Sequence, residues 1–386
     1  MLKENDKKYI ASTYARYDVE IAYGKGSLMY GYDGREFIDL TSGIGVNVFG
    51  TADPEWLEAV TSQLSKVAHT SNLYYTAPDG ELARLLCEKT GMSKAFFCNS
   101  GAEANECAIK AARKYSAQTK GEEFYNIITF ESSFHGRTLT TLAATGQEKF
   151  HKLFRPLTPG FFNVKNTDEI DDLVKNEKIA GIMLEVVQGE GGVNVMPEQL
   201  LSAVSELCEK NDIPLIIDEV QTGNGRTGTL YSYMRFGLKP DVFTTAKGLG
   251  GGLPIGACVL SEKLESIFAP GDNGSTFGGN PAVCAGAVSI IKRLTPAFLE
   301  DVDRKGRLLK DFFAGKKGVK SVTGLGLMIG VEPEGKAADI VKQSINDGVL
   351  ALTAGGNKVR LLPPLNTPDE LLLKGAEIIV RNMASA

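Results

Sequence analysis

A single lysine is surrounded by bare backbone in the stretch "DVFTTAKGLGGGLPIG", residues 241–256. The apolar and β-branched residues 242–245 predict a short buried strand, and Lys247 follows it. A lysine in a dry pocket can lose its proton and attack a carbonyl group to form a Schiff base. The glycines that follow would let a planar ring approach the backbone closely. A solvated surface charge is the ordinary alternative for a lysine that ends a strand.

An acidic residue ends another predicted strand earlier in the chain. Asp218 lies within "IIDEVQTG", residues 216–223, at the carboxyl end of a continuous apolar run, where α/β sheets bind their ligands. A lone acid at such a place more often caps a turn, so a functional role requires a cation nearby. If the strands before Asp218 and Lys247 are neighbours, the two side chains point into one crevice.

A third strand end resembles a phosphate site. In "CNSGAEANECAIK", residues 98–110, a predicted strand ends, a Ser-Gly turn follows and an Ala-rich helix begins. Free N–H groups and the positive end of the dipole at a helix start bind phosphate. Alternatively, Asn99 or Ser100 only caps the helix. This motif alone leaves the two interpretations open.

Together the three strand ends favour one cofactor class. A lysine that forms a Schiff base, an acid beside a pyridine nitrogen and a phosphate turn are what pyridoxal phosphate requires. An acid at the ring nitrogen keeps that nitrogen protonated, which makes the ring an electron sink. Phosphate turn, Asp218 and Lys247 stand at compatible places, and this agreement outweighs the three ordinary alternatives.

Two further motifs could bind a planar ring and carboxylates. In "SFHGRT", residues 133–138, Phe134 could stack on a pyridine ring and Arg137 could hold a carboxylate with two hydrogen bonds. A core phenylalanine and a surface arginine are the ordinary alternatives. Arg360 lies among apolar residues in "VRLLPPL", which is unusual without a partner. Glu190 in "QGEGG" could be that partner.

Two glycine motifs suggest a nucleotide site instead. "GNGRTG", residues 223–228, fits G-x-G-x-x-G but does not directly follow a strand, and no acid follows at the required distance. "GVEPEGKA", residues 330–337, fits a phosphate loop only in part, because Ala337 stands where a Ser or Thr must bind magnesium. A nucleotide-binding protein therefore remains as a remote alternative.

Composition excludes several classes. The chain has 386 residues, 43% hydrophobic and 23% charged, with a formal net charge of −5 and no basic block that would bind nucleic acid. The polar start lacks an apolar signal core, and no run reaches the roughly 18 apolar residues of a membrane span, so a cytoplasmic location is expected. Six scattered cysteines without a C-x-x-C pair and three histidines without metal spacing predict neither disulfides nor a metal site.

The pattern of predicted elements indicates an α/β fold. Through the middle of the chain, continuous apolar strands alternate with helices, which favours a mostly parallel central sheet covered on both faces. Hairpin signals at 20–41 and mixed elements after 290 predict a smaller α+β domain built from both chain ends. The predicted division is 1–60 with 290–386 for the small domain, and 61–289 for the large cofactor domain.

At this point the residues match a known family. The chain resembles the class III pyridoxal-phosphate aminotransferases of fold type I over essentially its whole length. The motifs that carry the resemblance occur in order: "CNSGAEANE", "SFHGRT", "IIDEVQTGNGRTG", "AKGLGGGLPIGA" and "STFGGNP". Within the class, "HTSNLYYTAPDGELA", residues 69–83, is most similar to acetylornithine aminotransferases.

The resemblance implies a role for each matching residue. Lys247 holds the cofactor, Asp218 pairs with the pyridine nitrogen, and Gln221 bonds the ring's phenolic oxygen. Phe134 stacks on the ring, and Glu219 and Val220 make further cofactor contacts. The phosphate is bound by the turn of Ser100, Gly101 and Ala102, and by Thr276 from the other subunit of a homodimer. Ser275 lies near the substrate. Arg137 holds the α-carboxylate of the amine donor, and Arg360 that of glutamate or 2-oxoglutarate, with Glu190 covering Arg360 otherwise.

The resemblance also implies an activity: transfer of the terminal amine of N2-acetylornithine, or of a similar diamine, to 2-oxoglutarate, with arginine biosynthesis as the setting. Ornithine, succinylornithine and 4-aminobutyrate aminotransferases are the alternatives. Three places in the sequence depart from the patterns of the family or of its relatives. Val186 replaces a usual proline, residues 49–56 replace a usual Gly-His, and Gly43 stands where ornithine aminotransferases carry a tyrosine, which would leave room for an acyl group.

Overall fold

The computed structural model describes residues 1–385, which form a mixed α/β fold. The strands are β1 Ile21–Lys25, β2 Leu28–Gly31, β3 Glu36–Asp39, β4 Lys94–Cys98, β5 Asn126–Phe130, β6 Phe161–Val164, β7 Ile179–Leu184, β8 Val187–Gln188, β9 Asn194–Val195, β10 Leu215–Asp218, β11 Val242–Thr245, β12 Gly256–Leu260, β13 Val319–Leu325, β14 Met328–Pro333, β15 Val349–Leu350, β16 Leu352–Ala354 and β17 Lys358–Leu361. The helices are α1 Leu2–Tyr9, α2 Ser42–Gly45, α3 Pro54–Leu64, α4 Ala77–Thr90, α5 Gly101–Thr119, α6 Leu139–Ala144, α7 Glu148–His151, α8 Thr167–Asn176, α9 Glu198–Lys210, α10 Pro281–Arg293, α11 Pro296–Phe313, α12 Ala337–Asn346 and α13 Asp369–Ala384.

A seven-stranded sheet forms the centre of the molecule. Its strand order is β4-β12-β11-β10-β7-β5-β6. Neighbouring strands from β11 to β6 pair in parallel, and β12 runs antiparallel to both of its neighbours, so the other six strands share one direction. The predicted mostly parallel central sheet is confirmed.

Close helix packing explains the run of small residues in α5. Its buried face is rich in alanine and includes Ala104, Ala108, Ala111 and Ala112. An ideal Cβ on Gly181 of β7 would lie only 3.1 Å from the Ala112 Cβ atom, so larger side chains at this contact would force helix and sheet apart. The buried, continuously apolar strands β5, β7 and β11 are those expected when both faces of a sheet are covered.

Two four-stranded sheets are built from the terminal parts of the chain, and the first of them joins both ends. In the first, of order β1-β2-β3-β15, the hairpins predicted within 20–41 are present, and β15 from the C-terminal part pairs in parallel with β3. The second has the order β13-β14-β17-β16, and Arg360 lies on β17 opposite Gly330. Segments far apart in sequence thus meet beside the central sheet.

The register of the central sheet places three predicted strand ends at one edge. β10 and β11 are parallel neighbours, with Asp218 opposite Thr244, and Lys247 follows three positions later. β4, which leads into the Ser100 turn, has the same direction and is separated from β11 only by β12. Because the carboxyl ends of strands of one direction meet at the same edge, these residues surround one crevice.

No single helix within residues 1–385 has the length and apolar character needed to cross a bilayer. The helices α10 and α11, bent by 78° at their junction, reach that length and apolar character only when they are taken together. The same range contains no group of three or more histidine, cysteine or acidic residues placed to hold a metal ion. Each of the six cysteines is a free thiol.

Candidate active site

A cavity of about 680 Å³ opens at this edge of the central sheet. Asp218 and Lys247 face it from the ends of adjacent strands, as the sequence predicts for neighbouring strands. Phe134, Arg137 and Gln221 also line it. The cavity thus brings a lysine, an acid, an aromatic ring and a guanidinium group together, although they are dispersed over more than a hundred positions of the chain.

Lys247 is held in a strained, half-buried position. It has a φ of 44° and begins a short 3-10 helix, Lys247–Leu249. A positive φ is unusual for a residue with a long side chain and marks a functional constraint. Burial lowers the pKa of Lys247 from its ordinary value, and the nearby Glu190 carboxylate acts in the opposite direction. A larger uncharged fraction at neutral pH makes this amine a better nucleophile and base.

The glycines after Lys247 serve mainly the packing of the protein rather than the approach of a ring. An ideal Cβ on Gly248 would lie 2.9 Å from Val48, and one on Gly250 would lie 2.0 Å from the Leu253 carbonyl oxygen. Of the four glycines, only Gly252 lines the cavity. The glycine run lets the backbone turn tightly behind Lys247, which fixes the lysine rather than opening space in front of it.

Asp218 is fixed by three hydrogen bonds. Its Oδ2 accepts from Asn105 Nδ2 at 2.8 Å and lies 2.8 Å from His135 Nδ1, while its Oδ1 accepts from the Val220 N–H at 3.0 Å. The side chain is 4% exposed. A carboxylate held in this way cannot turn away from the cavity, so it presents a fixed negative charge to any cation placed there.

The Ser100 turn combines both roles that the sequence left open. Ser100 Oγ accepts from the Glu103 N–H at 3.2 Å and therefore caps α5. Ser100, Gly101 and Ala102 also line the cavity, at the start of a 19-residue helix whose first N–H groups lack partners within the helix. Gly101 is required there, because an ideal Cβ would lie 2.6 Å from Val220 Cγ1. The turn is capped and is also suited to an anion.

Arg137 is held at the cavity wall by aromatic rings. Its guanidinium carbon lies 4.1 Å from the centre of the Phe150 ring and 5.4 Å from that of Phe134. Phe134 and Phe150 meet edge to face, with 5.7 Å between ring centres. Stacking on rings leaves the hydrogen-bonding edge of a guanidinium group free for a carboxylate. Phe150 was not predicted from the sequence as part of the site.

Arg360 and Glu190 form an ion pair behind the cavity wall. Arg360 Nη1 donates to Glu190 Oε1 at 2.6 Å and to Gln221 Oε1 at 3.1 Å, and the arginine side chain is 3% exposed. Burial would raise the pKa of Glu190, but the positive charge of Arg360 outweighs this effect and lowers it. Neither residue lines the cavity; Gln221 lies between them and the interior.

Besides Arg360 and Glu190, three further predicted residues do not line the cavity. The Glu219 carboxylate accepts hydrogen bonds from Thr222, Ser232 and Tyr233 and does not line the cavity. Thr276 is exposed and lies in a separate surface depression. Ser275 does not line the cavity either, but its Oγ accepts from Asn99 Nδ2 at 3.1 Å, and Asn99 does.

Sequence reasoning did not single out several cavity residues, four of which carry hydrogen-bonding side chains. Asn105 and His135 stand inside motifs that the sequence analysis singled out, and a buried asparagine on an alanine-rich helix face was an available signal. Glu185 directly follows the apolar strand β7, and Asp218 is the last residue of β10. Tyr14 reaches the cavity from the N-terminal segment, and no local pattern distinguishes it from the other exposed tyrosines there.

The two nucleotide motifs do not form phosphate sites. In "GNGRTG" the Arg226 side chain is buried and donates to the carbonyl oxygens of Leu327 and Pro363, which ties this loop to the C-terminal sheet. In "GVEPEGKA" the N–H of Ala337, at the start of α12, donates to Asn357 Oδ1 at 2.8 Å. The arrangement therefore does not favour the nucleotide-binding alternative.

Comparisons with known proteins agree with this geometry. The family described as Aminotransferase class-III matches residues 9–383. A protein named acetylornithine aminotransferase from Haemophilus ducreyi is 50% identical over 384 residues, covering 98% of each chain, and one from Aquifex aeolicus is 47% identical, covering 96% of this chain and 98% of its own.

Solved structures show the same fold. The ornithine aminotransferase from Toxoplasma gondii ME49 superposes with a TM-score of 0.95 at 29% identity, covering 100% of this chain and 94% of that one. The acetylornithine aminotransferase from Elizabethkingia anophelis gives a TM-score of 0.89 at 30% identity, covering 100% and 98%. A family match across nearly the whole chain, together with this fold and cavity, shows that the chain belongs to the class III aminotransferases.

Proposed function

We propose that this aminotransferase transfers the terminal amine of N2-acetylornithine to 2-oxoglutarate, giving the semialdehyde and glutamate. The relatives at 40 to 50% identity over nearly the full length that carry the name acetylornithine aminotransferase support this substrate. The observation that carries the proposal is the presence of two arginines with different partners near Lys247 and Asp218. Arg137 lines the cavity and lies against the rings of Phe134 and Phe150. Arg360 lies behind Gln221 on the cavity wall and is paired with Glu190.

The residues present fit pyridoxal 5′-phosphate as the cofactor. The capped start of α5 offers N–H groups to a phosphate, and Phe134 and Val220 line the space in which a ring would lie. Asp218 would pair with the ring nitrogen, and Gln221 would bond the phenolic oxygen. When bound, this cofactor supplies a carbonyl group for amine exchange and an electron sink that stabilises negative charge on the substrate carbon.

Lys247 has two tasks in this proposal. Its amine would hold the cofactor covalently at rest, and when free it would take a proton from the substrate carbon as general base and return it as general acid. Burial lowers the pKa of Lys247, which leaves more of the amine uncharged for proton abstraction. Hydrogen bonds from Asn105 and Val220 fix the Asp218 carboxylate, which would keep a negative charge facing the cavity throughout the reaction.

The two arginines would let one site accept two kinds of amine. A donor that reacts at its terminal amine places its α-carboxylate far from the reacting carbon, on Arg137. Glutamate reacts at its α-carbon, so its α-carboxylate needs a cation close to the ring, which Arg360 supplies. Glu190 neutralises Arg360 while the acylated donor is bound, which keeps the donor's carboxylate from binding there.

A homodimer with composite sites completes the proposal. Leu73, Tyr74, Tyr75 and Phe277 expose large apolar side chains around the depression that holds Thr276. A patch of this kind on a single chain indicates a protein contact surface. In the dimer, Thr276 would reach the cofactor phosphate of the neighbouring subunit, and Ser275 would lie near the substrate.

The remaining assignments follow from the substrate and the fold. We place the reaction in arginine biosynthesis and the protein in the cytoplasm. The two-domain division, 1–60 with 290–386 and 61–289, is supported by the sheet that joins both chain ends, since β15 pairs with β3. Ornithine, succinylornithine and 4-aminobutyrate remain as competing amine donors.

A panel of donors at a fixed 2-oxoglutarate concentration tests this function. N2-acetylornithine should give the highest kcat/KM, with ornithine, N2-succinylornithine and 4-aminobutyrate lower. A higher kcat/KM with 4-aminobutyrate, whose carboxylate lies one carbon nearer the reacting amine than that of N2-acetylornithine, would contradict the proposal. Absence of turnover with every donor, despite a visible absorption band from bound cofactor, would contradict the choice of acceptor or reaction.

A further inference from the structure

Glu185 is a buried acid that the proposed mechanism does not use. It follows β7, is 5% exposed and lines the cavity. Its Oε1 accepts from the Phe134 N–H at 2.9 Å, and its Oε2 accepts from the Gly189 N–H at 3.3 Å. One carboxyl group therefore joins two backbone segments, which are also linked by a hydrogen bond of 2.8 Å from Gln188 Nε2 to the Glu131 carbonyl oxygen.

Each of these segments carries a residue of the proposed site. The first presents Phe134 to the ring, and the second continues into Glu190, the partner of Arg360. The second segment has little freedom, because an ideal Cβ on Gly189 would lie 2.2 Å from Gln221 Oε1. The Glu185 carboxyl group thus contributes to the spacing between the aromatic wall and the Glu190 segment.

We infer that Glu185 is a positioning residue of the cofactor site, whose ionised carboxylate fixes the Phe134 and Gly189 segments and adds negative charge beside Asp218. The inference rests on the proposed function, because it assumes that a cationic ring binds against Asp218. A carboxylate accepts two N–H bonds more strongly than a neutral acid or an amide does. An amide would also turn a donor toward one of the two N–H groups.

The surroundings make the charged state costly without a cofactor. His135 and Asp218 face Glu185, and Lys247 lies within reach of its charge. Burial raises the pKa of Glu185 from 4.5 to about 7; His135 acts against this rise, and the Asp218 charge adds to it. Glu185 therefore changes its charge close to neutral pH, which makes its contribution measurable.

The different protonation of Glu185 in the folded and unfolded chain determines how stability changes with pH. Between pH 4.5 and about 7 the folded chain keeps the Glu185 proton while the unfolded chain has lost it, so the free energy of unfolding falls as pH rises through this window. A Glu185→Gln variant lacks this loss. At pH 8 the variant without cofactor should therefore unfold at a higher temperature than the wild-type apoprotein.

Cofactor binding should respond in the opposite direction. At pH 8, Glu185→Gln should bind pyridoxal phosphate about tenfold more weakly, because a charge-assisted hydrogen bond is lost. At pH 6, where Glu185 itself is protonated, the difference should shrink to less than about twofold. The cofactor's own ionisation affects the variant and the wild type equally, so its effect cancels in the ratio of their affinities.

The experiment measures equilibrium binding of pyridoxal phosphate and thermal unfolding of the apoprotein at pH 6 and pH 8. Glu185→Asp keeps the charge but is too short to reach both N–H groups, so it should weaken binding at both pH values. Glu209→Gln, an exposed acid on α9, is the matched control and should change neither measurement. If Glu185→Gln does not fold, the Asp variant alone tests the positioning role.

Two results would overturn the inference. One is an affinity ratio of Glu185→Gln to wild type that is the same at pH 6 and pH 8. The other is a Gln variant whose apoprotein unfolds at a lower temperature at pH 8 while its cofactor affinity is unchanged, which is what a merely structural acid predicts. Failure of the wild-type chain to bind pyridoxal phosphate at all would instead contradict the proposed function.

Discussion

Arg360 Nη1 lies 2.6 Å from Glu190 Oε1, and the same nitrogen lies 3.1 Å from Gln221 Oε1 on the cavity wall. Gln221 therefore connects the buried ion pair to the interior. The Nε atom of Arg360 is buried and has no hydrogen-bond partner within the described chain, so the guanidinium group has an unused donor. An incoming carboxylate could satisfy that donor when Glu190 moves away.

This arrangement predicts opposite effects of two substitutions. Glu190→Ala should favour the glutamate half-reaction over the terminal-amine half-reaction by roughly tenfold to a hundredfold, because Arg360 becomes permanently available. Arg360→Ala should slow the glutamate half-reaction most. Stopped-flow measurement of the two half-reactions separately provides the comparison. Equal slowing of both half-reactions by both variants would make the pair purely structural.

Lys247→Ala should abolish steady-state turnover without unfolding the protein. General base catalysis contributes about 10² to 10⁴ in rate, and the covalent attachment is lost as well. Cofactor should still bind through the α5 start and Asp218, so the variant should keep a visible absorption band. Lys239→Ala, on the surface, is the matched control. Near-normal turnover by Lys247→Ala would disprove the assignment.

Asp218→Asn should cost much more rate than cofactor affinity. An amide cannot stabilise a protonated ring nitrogen as a carboxylate does, so kcat should fall by about a hundredfold or more, while cofactor affinity falls by less than about tenfold. Part of the loss in affinity will come from the hydrogen bonds that Asn105 and Val220 donate to Asp218. The NH2 group of the new asparagine must face one of these two donors and cannot accept a hydrogen bond from it. Asn105→Ala measures that part. Wild-type kcat in the Asn variant would mean that Asp218 is only a turn residue.

Gly101→Ala should weaken cofactor binding through overpacking. The added Cβ would lie 2.6 Å from Val220 Cγ1 and 2.8 Å from Cγ2, and such overpacking typically costs about 1 to 3 kcal/mol. Val220→Ala removes both methyl groups, so the double variant should recover part of the affinity that Gly101→Ala loses. A double-mutant cycle of cofactor dissociation constants tests this coupling. Simple additivity of the two effects would show that the contact does not matter.

Hybrid dimers test the composite site. Lys247→Ala and Thr276→Ala chains should each be poorly active, but a mixed dimer has one site with both residues intact. Random mixing gives hybrids in half of the dimers, so about one quarter of wild-type activity should return. Sedimentation at assay concentration should show dimers throughout. A fully active monomer, or no recovery after subunit exchange, would contradict the dimer proposal.

Local sequence signals were enough for the central sheet and the chemistry at its edge. Continuous apolar strands predict burial on both faces, and parallel neighbours place their carboxyl ends together, so Asp218 and Lys247 had to meet once β10 and β11 were adjacent. The family motifs supplied the remaining roles. These signals are local because hydrophobic periodicity, helix capping and turn chemistry act over a few residues.

Tertiary structure decided which further side chains complete the site. Glu185 and His135 become cavity residues only because β7 and the segment after β5 end beside β10, and Tyr14 only because the N-terminal segment folds over the cavity. Glu219, next to Asp218 in sequence, points away into its own hydrogen-bond network. Burial and charge at a point in space depend on all segments that surround it, so the raised pKa of Glu185 and the lowered pKa of Lys247 could be found only after the chain was folded.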